Sequence, residues 1–372
     1  MPDPDQSRAR RVAILGAGGI SGAHVTALKR VPNVELVAVC DLDEKKARAL
    51  QELTGAPHVF RDLQTMLEHA SPDAVHVLLP PAAHAPAAAA CLSAGAHVFV
   101  EKPLCVSTAE CRDLELAAQR SGRQIGVNHN LTFMPGFLAV LEHIRNCRFG
   151  AIEHVTVNFN LAMPRLAAGP HNHWMFGGTG NLLYELGVHP LSVIHRLVGG
   201  PVHVQALASG ELRLSNDVRF YHTWQTSMLC ERGTAQLLMS VGKAYTNAWI
   251  HILGEDAEAF IDLRRCTVRM SERTRYIRID DLVDGFKNGA SLLRQTLSGF
   301  SGYALAAIGL AANSGWQQIS FDNSIAGFYA AIAAGTPSPA GISEGCGVVK
   351  ACSMMVESAI GSKPEMEPGH RG

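Results

Sequence analysis

Residues 11–31 read RVAILGAGGISGAHVTALKRV, and this stretch decides the fold of the first part of the chain. The apolar run Val12–Leu15 predicts a strand, and the residues after the glycines follow a helical pattern. Gly16 permits the tight turn between the two, and Gly18 lets a phosphate group approach the backbone. The N-terminus of the following helix offers N–H groups and a positive dipole to that phosphate. The stretch therefore predicts a strand–turn–helix site for a dinucleotide.

The glycine pattern departs from Gly-x-Gly-x-x-Gly at its third position, where Ser21 stands with Gly22 beside it. Serine is small enough to allow close packing of the helix on the strand. We expect the pyrophosphate to be held by the turn and the first helical residues, namely Gly16, Gly18, Gly19, Ile20 and Ser21.

A second predicted strand, VELVAVC at residues 34–40, is followed at once by Asp41. A carboxylate at this point accepts hydrogen bonds from the adenosine ribose hydroxyls and repels a 2′-phosphate. Leu42 offers no guanidinium to such a phosphate. The sequence therefore favours NAD over NADP, while Lys45 and Lys46 keep NADP open as the less favoured alternative.

Predicted strands and amphipathic helices continue to alternate up to QIGVN at residues 124–128. This alternation predicts a doubly wound parallel sheet that binds its ligand at the carboxyl ends of the strands. The segments LLPPAAH and EKP lie at two such ends. We expect them to supply further cofactor contacts through Leu79, Pro80, His84, Glu101 and Lys102.

Length and composition set outer bounds on the function. A chain of 372 residues is longer than single cores usually grow, so we expect two domains. The net charge of −1 and the lack of a basic block give little support to nucleic-acid binding. The longest apolar stretches are either broken by prolines or short and rich in small residues, so no membrane span is predicted.

The expected compartment is a reducing cytoplasm. The N-terminal residues carry no apolar segment of the kind that a signal peptide requires. Nine cysteines occur without a C-x-x-C pair, which indicates free thiols and not disulfides or a cysteine zinc site.

Residues 177–197, GGTGNLLYELGVHPLSVIHRL, place a polar stripe within an apolar segment. Glu185 and His189 are four residues apart, and Ser192 and Arg196 continue the same helical face. Taken alone, the stripe is also explained by a satisfied polar pair, or by a glutamate placed in a first helical turn for its dipole. The rest of the sequence has to decide between these readings.

A set of motifs in one order along the chain resembles the glucose–fructose oxidoreductase/inositol dehydrogenase (Gfo/Idh/MocA) family. They are the glycine-rich first turn, Asp41, the EKP segment, the GGTGNLLYELGVHPLSV segment and the ending at residues 328–359. The resemblance implies an α/β fold with an N-terminal Rossmann doubly wound parallel sheet. It also implies a C-terminal α+β domain with a large, mostly antiparallel open sheet, through whose outer face such proteins form homodimers or homotetramers.

The domain boundaries follow from the same resemblance. We expect a disordered lead-in at residues 1–10 and a Rossmann domain at residues 11–130. Residues 131–372 would then form a substrate-binding and oligomerisation domain that includes the C-terminal helices.

The resemblance also implies a reactive group. In the family it consists of the EKP lysine, an acid, and a histidine four residues after that acid, which here match Lys102, Glu185 and His189. A neutral imidazole accepts a hydroxyl proton well near neutral pH. We therefore expect His189 or Lys102 to take the proton, Glu185 to orient the imidazole, and NAD to take the hydride.

The sequence departs from the family pattern at three positions. Glu185 stands where the acid is usually Asp, so its carboxylate is displaced by roughly an ångström, enough to affect catalysis. Ser192 stands where a second Asp is common. Pro190 does not fit a helix interior, so we expect the helix to begin near His189 or to bend there.

The segment AAGPHNHWMF, at residues 167–176, is expected to help bind a carbohydrate or polyol. A Trp ring stacks on a sugar face, and imidazoles bind hydroxyls. The expected substrate ligands are His171, His173 and Trp174, together with His129 and Asn130 at the end of the last Rossmann strand. A metal site built from H-x-H and His189 is the less favoured alternative, because no carboxylate or cysteine lies nearby at a suitable spacing.

The sequence thus predicts an NAD-dependent oxidoreductase that moves a hydride between a sugar, cyclitol or polyol and the nicotinamide. Two alternatives stay open. One is a redox-neutral, NAD-dependent glycosidase that oxidises its sugar, eliminates the aglycone and returns the hydride. The other is a cofactor-binding regulatory protein that has lost catalysis. The changes at Glu185 and Ser192 favour this alternative.

Overall fold

The computed structural model describes residues 8–272, 283, 285–297 and 316–361, which divide into two units. The first unit comprises residues 8–134 and 316–349, and the second comprises residues 135–272, 283, 285–297 and 350–361. Each unit has its own sheet.

Strands and helices alternate through the first unit as the sequence predicts. In chain order the elements are β1 (Arg10–Leu15), α1 (Ser21–Leu28), β2 (Val34–Cys40), α2 (Glu44–Thr54), β3 (His58–Phe60), α3 (Leu63–Ala70), β4 (Ala74–Val77), α4 (His84–Ser93), β5 (His97–Val100), α5 (Thr108–Ser121) and β6 (Ile125–Val127). The sequence analysis missed β3, which has only three residues.

The six strands form a parallel sheet in the order β3-β2-β1-β4-β5-β6. This is the Rossmann order, which confirms the predicted fold class. The strand order reverses between β1 and β4, and ligands of such sheets bind beside that reversal at the carboxyl ends of the strands. The segments after β1, β4 and β5, which carry the predicted cofactor residues, all leave the sheet at that edge.

The chain divides at different points from those predicted. The first unit continues to residue 134 and takes in α10 (Trp316–Ala334) and residues 342–349 of α11 (Ile342–Gly361). The reason is apolar packing, since Ile325, Phe328 and Tyr329 of α10 lie in the same buried cluster as the strands of the parallel sheet. At the other end, β1 already includes Arg10, which was expected to be lead-in; residues 1–7 lie outside the described part.

The second unit contains the predicted open, mostly antiparallel sheet. Its strands are β7 (Ile152–Ala162), β8 (Pro201–Arg213), β9 (Arg219–Cys230), β10 (Gly233–Lys243), β11 (Asn247–Gly254), β12 (Ala257–Asp262) and β13 (Thr267–Glu272), in the order β13-β12-β11-β7-β10-β9-β8. Only β7 and β10 pair in parallel among the described strands. Its helices are α6 (Pro135–Arg145), α7 (Pro164–Ala168), α8 (Val188–Val198) and α9 (residues 285–297).

One face of this sheet is covered, because α8 packs against β7 and β10. Burial alternates along the strands accordingly: on β9, Trp224 and Met228 are buried while Gln225 and Leu229 are exposed. Such alternation is typical of an antiparallel sheet with one covered face. In the described part of the chain, no helix combines the length and apolar character that crossing a membrane requires.

The place of α10 in the first unit can be tested by Phe328→Ala. Phe328 is 1% exposed and its ring centroid lies 5.2 Å from that of Phe99 on β5. Truncating it should lower the free energy of unfolding by about 3–5 kcal/mol, because it leaves a cavity in the core. Urea unfolding measures the loss. The control Leu116→Ala, on α5 and 48% exposed, should change stability by less than about 0.5 kcal/mol. Similar small effects of both changes would contradict the packing described.

Candidate functional site

The turn after β1 has room for nothing but glycine at its first position. Gly16 has a φ of +100°, and a Cβ built there would lie 2.5 Å from the carbonyl oxygen of Leu78 at the end of β4. Gly18 and Gly19 differ, because a Cβ at either would meet no atom within 4 Å. The backbone of the turn is therefore open to close approach by a ligand, as a pyrophosphate site requires.

The N-terminus of α1 is suited to an anion. Helices α2, α3 and α5 are each capped by a side chain, from Asp43, Asp62 and Ser107 respectively. Within the described residues, helix α1, like α4, has no side-chain cap and no acidic residue in its first turn. The hydroxyl of Ser21 instead donates to the carbonyl of Gly18 at 2.7 Å. The N–H groups of Ser21 and Ala23 donate to the carbonyls of Gly18 and Ile20, both at 3.1 Å. The start of α1 therefore offers a bound phosphate its positive dipole with no carboxylate beside it.

Asp41 connects the loops that follow β1 and β2. Its Oδ2 accepts the N–H of Ala17 at 2.7 Å, and its Oδ1 accepts the N–H of Asp43 at 2.8 Å. Each carboxylate oxygen has a further lone pair for a ribose hydroxyl. The neighbouring Leu42 is 82% exposed and brings no positive charge. These residues fit the adenosine ribose of NAD.

The predicted cofactor residue His84 links the segments after β4 and β5. Its buried ring places Nδ1 2.6 Å from the carbonyl oxygen of Pro103 and Nε2 2.7 Å from that of Leu79. Burial lowers the pKa of His84, and the two carbonyl oxygens act in the opposite direction. Since both ring nitrogens face protein carbonyls, His84 is placed to brace the loops beside the cofactor rather than to bind its polar groups. The adjacent Leu79 is half-buried and Pro80 is exposed.

The carboxylate of Glu101 also points into the protein. Its Oε1 lies 2.8 Å from Nε2 of His24 and accepts from Nδ2 of Asn128 at 2.6 Å. Its Oε2 accepts the N–H of Lys102 at 3.2 Å. Lys102 follows directly and is half-buried at the carboxyl edge of the sheet. The sequence analysis did not identify His24 or Asn128.

The predicted substrate residues His129 and Asn130 are buried after β6. Nδ1 of His129 lies 2.9 Å from Oε1 of Glu344 on α11, and Asn130 donates from Nδ2 to Oγ of Ser320 on α10 at 3.1 Å. Nε2 of His129 is buried and has no hydrogen-bond partner among the residues that the structure describes. This ring nitrogen is therefore left unsatisfied.

In the second unit, Trp174 and Glu185 come together. The indole Nε1–H of Trp174 donates to Oε2 of Glu185 at 2.7 Å, and Asn181 donates to the carbonyl of Trp174 at 2.8 Å. Glu185 stands in a single π-helical turn, Leu183–Gly187. Such turns are rare in proteins, and those that do occur are often at functional sites. The longer side chain that replaces the usual Asp is thus held by an indole on the preceding loop.

Helix α8 starts at Val188, near the point expected from Pro190, but it continues directly from the π-helical turn, because Gly187 already has helical backbone angles of φ −64° and ψ −26°. His189 is half-buried, and its ring centroid lies 6.3 Å from that of Phe159 on β7. Ser192 is fully buried, as expected for a polar residue within an apolar segment, and its hydroxyl donates to the carbonyl of His189 at 2.7 Å.

The two loop histidines make local contacts. His171 lies 3.1 Å from both Oγ of Ser215 and the carbonyl oxygen of Leu166, and His173 accepts the N–H of Met175 at 3.3 Å. Within the described residues, no group of three or more His, Cys, Asp or Glu side chains could hold a metal ion.

Comparison with known proteins agrees with this geometry. Residues 10–129 match the sequence model of the oxidoreductase family with an NAD-binding Rossmann fold, GFO_IDH_MocA. The chain is 30% identical over 260 residues to dTDP-3,4-didehydro-2,6-dideoxy-alpha-D-glucose 3-reductase of Streptomyces violaceoruber, covering 68% of this chain and 73% of that protein. It is also 30% identical over 195 residues to D-glucoside 3-dehydrogenase of Escherichia coli strain K12, covering 51% of this chain and 54% of that protein.

A solved structure supports the fold. The WlbA dehydrogenase of Bordetella pertussis, in complex with NADH and UDP-GlcNAcA, matches with a TM-score of 0.72 at 21% identity, covering 96% of this chain and 97% of that chain. Family match, relatives and fold agree with the predicted resemblance. The chain belongs to the Gfo/Idh/MocA family of NAD-binding oxidoreductases.

Proposed function

We propose that this chain is an NAD-dependent dehydrogenase or reductase of a carbohydrate hydroxyl or ketone, with Lys102, Glu185 and His189 as its reactive group. The observation that carries the proposal is the uncapped, glycine-lined N-terminus of α1 beside Asp41, in a chain that retains all three reactive residues. When bound, NAD supplies the acceptor or donor of the hydride. The residues of the chain supply binding, orientation and proton transfer.

His189 is the proposed base, which takes the hydroxyl proton as the alcohol becomes a ketone. Lys102 donates a hydrogen bond to the reacting oxygen and shares that proton. Glu185 stabilises the charged form of the imidazole, with its carboxylate held in place by Trp174. In the reductive direction the same groups return the proton to the oxygen.

The cofactor residues divide by the part of NAD that they would hold. The turn at Gly16, Gly18, Gly19, Ile20 and Ser21 takes the pyrophosphate, and Asp41 takes the adenosine ribose. Leu79, Pro80, His84, Glu101 and Lys102 shape the edge of the sheet where the nicotinamide would lie, and the inward side chains of His84 and Glu101 act there through the backbone.

The proposed substrate is a hexose derivative that reacts at its third carbon. Both sugar-specific relatives described above are named for reaction at position 3. The half-buried Trp174 is suited to stack on a sugar ring, and His129 keeps its Nε2 for a hydroxyl. Asn130, His171 and His173 complete the proposed set of substrate residues, and each also has a hydrogen-bond partner within its own unit.

A homodimer or homotetramer would use the outer face of the second unit's sheet. Leu207 on β8 and Leu238 on β10 flank Gln225 of β9 in one cross-strand row, and Leu229 lies further along β9. These leucines are 65%, 37% and 51% exposed respectively. Apolar side chains gathered on a sheet face are typical of a surface that a second copy covers.

The roles of the reactive group are tested by Lys102→Ala and His189→Ala. With the sugar that gives the fastest NADH formation, each change should lower kcat by about 100-fold or more, because general acid–base catalysis contributes roughly that factor. Binding of NAD, measured by titration calorimetry, should stay within about threefold of the wild type because the pyrophosphate site is untouched. Full activity in either variant would remove that residue from the mechanism.

The role of Asp41 is tested by Asp41→Asn, which keeps the shape but removes the charge. The preference for NAD over NADP should fall about tenfold, equivalent to about 1.4 kcal/mol, because the carboxylate no longer repels a 2′-phosphate. The matched control is Asp43→Asn, on the same loop but serving as the cap of α2. An equal shift in both variants would show that Asp41 has no specific role at the ribose.

The two possible roles of Trp174 are separated by Trp174→Phe and Trp174→Leu. Phenylalanine keeps an aromatic face but loses the donor to Glu185. If holding Glu185 is what matters, kcat should fall about tenfold in Trp174→Phe, the equivalent of one hydrogen bond to a charged group. If stacking alone matters, Trp174→Phe should keep its kcat and KM, and only Trp174→Leu should raise KM. Steady-state kinetics decides between them.

A further inference from the structure

Four polar side chains form a continuous chain in the core of the first unit, named here the buried relay: Glu101, His24, His76 and Tyr329. Nε2 of His24 lies 2.8 Å from Oε1 of Glu101, and the Nδ1 atoms of the two histidines lie 2.9 Å apart. Nε2 of His76 lies 2.9 Å from the hydroxyl of Tyr329. Glu101 is 8% exposed, Tyr329 is 3% exposed, and both histidines are fully buried.

Nε2 of His24 carries a hydrogen whether His24 is neutral or charged. Nε2 of His24 faces a carboxylate, so it carries a hydrogen and donates. If His24 is neutral, Nδ1 of His76 donates to Nδ1 of His24, and the hydroxyl of Tyr329 donates to Nε2 of His76. If His24 is charged, its Nδ1 donates to Nδ1 of His76, and Nε2 of His76 donates to Tyr329. Glu101 receives the hydrogen bond from His24 in both.

Glu101 in turn holds the residue that follows it. Its Oε2 accepts the backbone N–H of Lys102, while Asn128 donates to its Oε1. Burial acts to raise the pKa of Glu101, but the hydrogen bond and charge of His24, followed by Asn128 and Lys102, outweigh it and lower the pKa to about 2. The carboxylate therefore stays ionised, and charged acceptors make the stronger hydrogen bonds.

We propose that His24 is a positioning residue that acts through Glu101 to set the place of Lys102 at the carboxyl end of β5. The inference rests on the proposed function of Lys102, and it adds a residue in α1 that does not itself touch substrate. The main role of the relay is to keep Glu101 ionised and turned inward, so that the Lys102 backbone is anchored at one point.

Stability alone gives little reason for such a group. The ring of His24 is surrounded by Phe99 and Phe321, where apolar side chains would pack. Replacing buried polar and ionic groups by well-packed apolar ones is often neutral or stabilising. A buried network in which both nitrogens of both histidines have polar partners is better explained by the fixed geometry that it imposes.

The first experiment compares His24→Met with His24→Gln. Methionine removes the donor, so the pKa of Glu101 rises. Below that raised pKa the kcat of the variant should fall about tenfold for each pH unit, as for loss of one required ionised group. The side-chain nitrogen of glutamine and Nε2 of histidine are the same number of bonds from Cβ. Glutamine therefore keeps a donor to Glu101 and should restore the wild-type pH profile. A merely structural loss would lower kcat evenly across pH and would not be rescued.

The titratable and charged groups that face this site all stay in place in these variants. They are His76 from β4, His84 from α4, Lys102 beside Glu101 and Tyr329 from α10, with Arg10 acting on Tyr329. Tyr329→Phe is the matched control, because it removes a buried polar atom at the far end of the relay and leaves the donor to Glu101. It should keep the wild-type pH profile. A profile in Tyr329→Phe equal to that of His24→Met would overturn the proposal.

A second readout does not need substrate. Acetic anhydride labels accessible lysines, and mass spectrometry gives the rate at Lys102 relative to Lys350 of the same protein. Release of the backbone anchor should raise this ratio about threefold or more in His24→Met and leave it unchanged in His24→Gln. An unchanged ratio in His24→Met would contradict the proposal. If His24→Met does not fold, His24→Asn removes the same donor, because its amide is one bond shorter than the reach of Nε2, and it carries the same expectations.

The double variant His24→Met/Lys102→Ala separates the two claims. If His24 acts through Lys102, the double variant should have the kcat of Lys102→Ala alone, whereas independent effects would multiply. Multiplied losses overturn the positioning role. Full activity of Lys102→Ala would instead refute the proposed function, and the labelling ratio would still report whether His24 positions Lys102.

Discussion

The close approach of Gly16 to the backbone of β4 is the constraint on which the first unit depends. At 2.5 Å from a would-be Cβ, the carbonyl of Leu78 leaves no room for a side chain. This contact lies where the strand order of the sheet reverses, so it fixes the turn that leads into α1. The uncapped start of that helix, Asp41 and the braced loops after β4 and β5 are all arranged around it. The dinucleotide site is therefore a consequence of how two neighbouring strands end.

Local patterns predicted most of the first unit because its elements are short, regular and separated by turn residues. The glycine turn, Asp41 and the EKP segment are read directly from neighbouring positions. The inclusion of α10 could not be read in the same way, since Phe328 and Phe99 meet across more than half of the chain. The available signal was the set of aromatic residues spread along α10, which indicates burial but not the partner.

The buried relay escaped the sequence analysis for a related reason. His24 and His76 stand alone in apolar segments, where a single histidine is ordinary, and only the folded sheet brings them beside Glu101. The contact between Trp174 and Glu185 spans a glycine-rich loop of undefined geometry. In the sequence, the replacement of the usual Asp by Glu at position 185 was the one indication that this carboxylate has a different partner. The hydrogen bond of Ser192 to the carbonyl of His189 could not be predicted, because helical spacing alone does not tell which polar residue bonds back to its own helix.

The central claim is net hydride transfer between a sugar hydroxyl and NAD. It is tested most directly by incubating the protein with NAD and a panel of hexoses, cyclitols, sugar acids and aryl glycosides, with nicotinamide absorbance and product mass followed together. We expect one NADH for each molecule of product, and a product lighter than its substrate by two hydrogens. Glycoside cleavage without net NADH would contradict it and would indicate the redox-neutral mechanism instead.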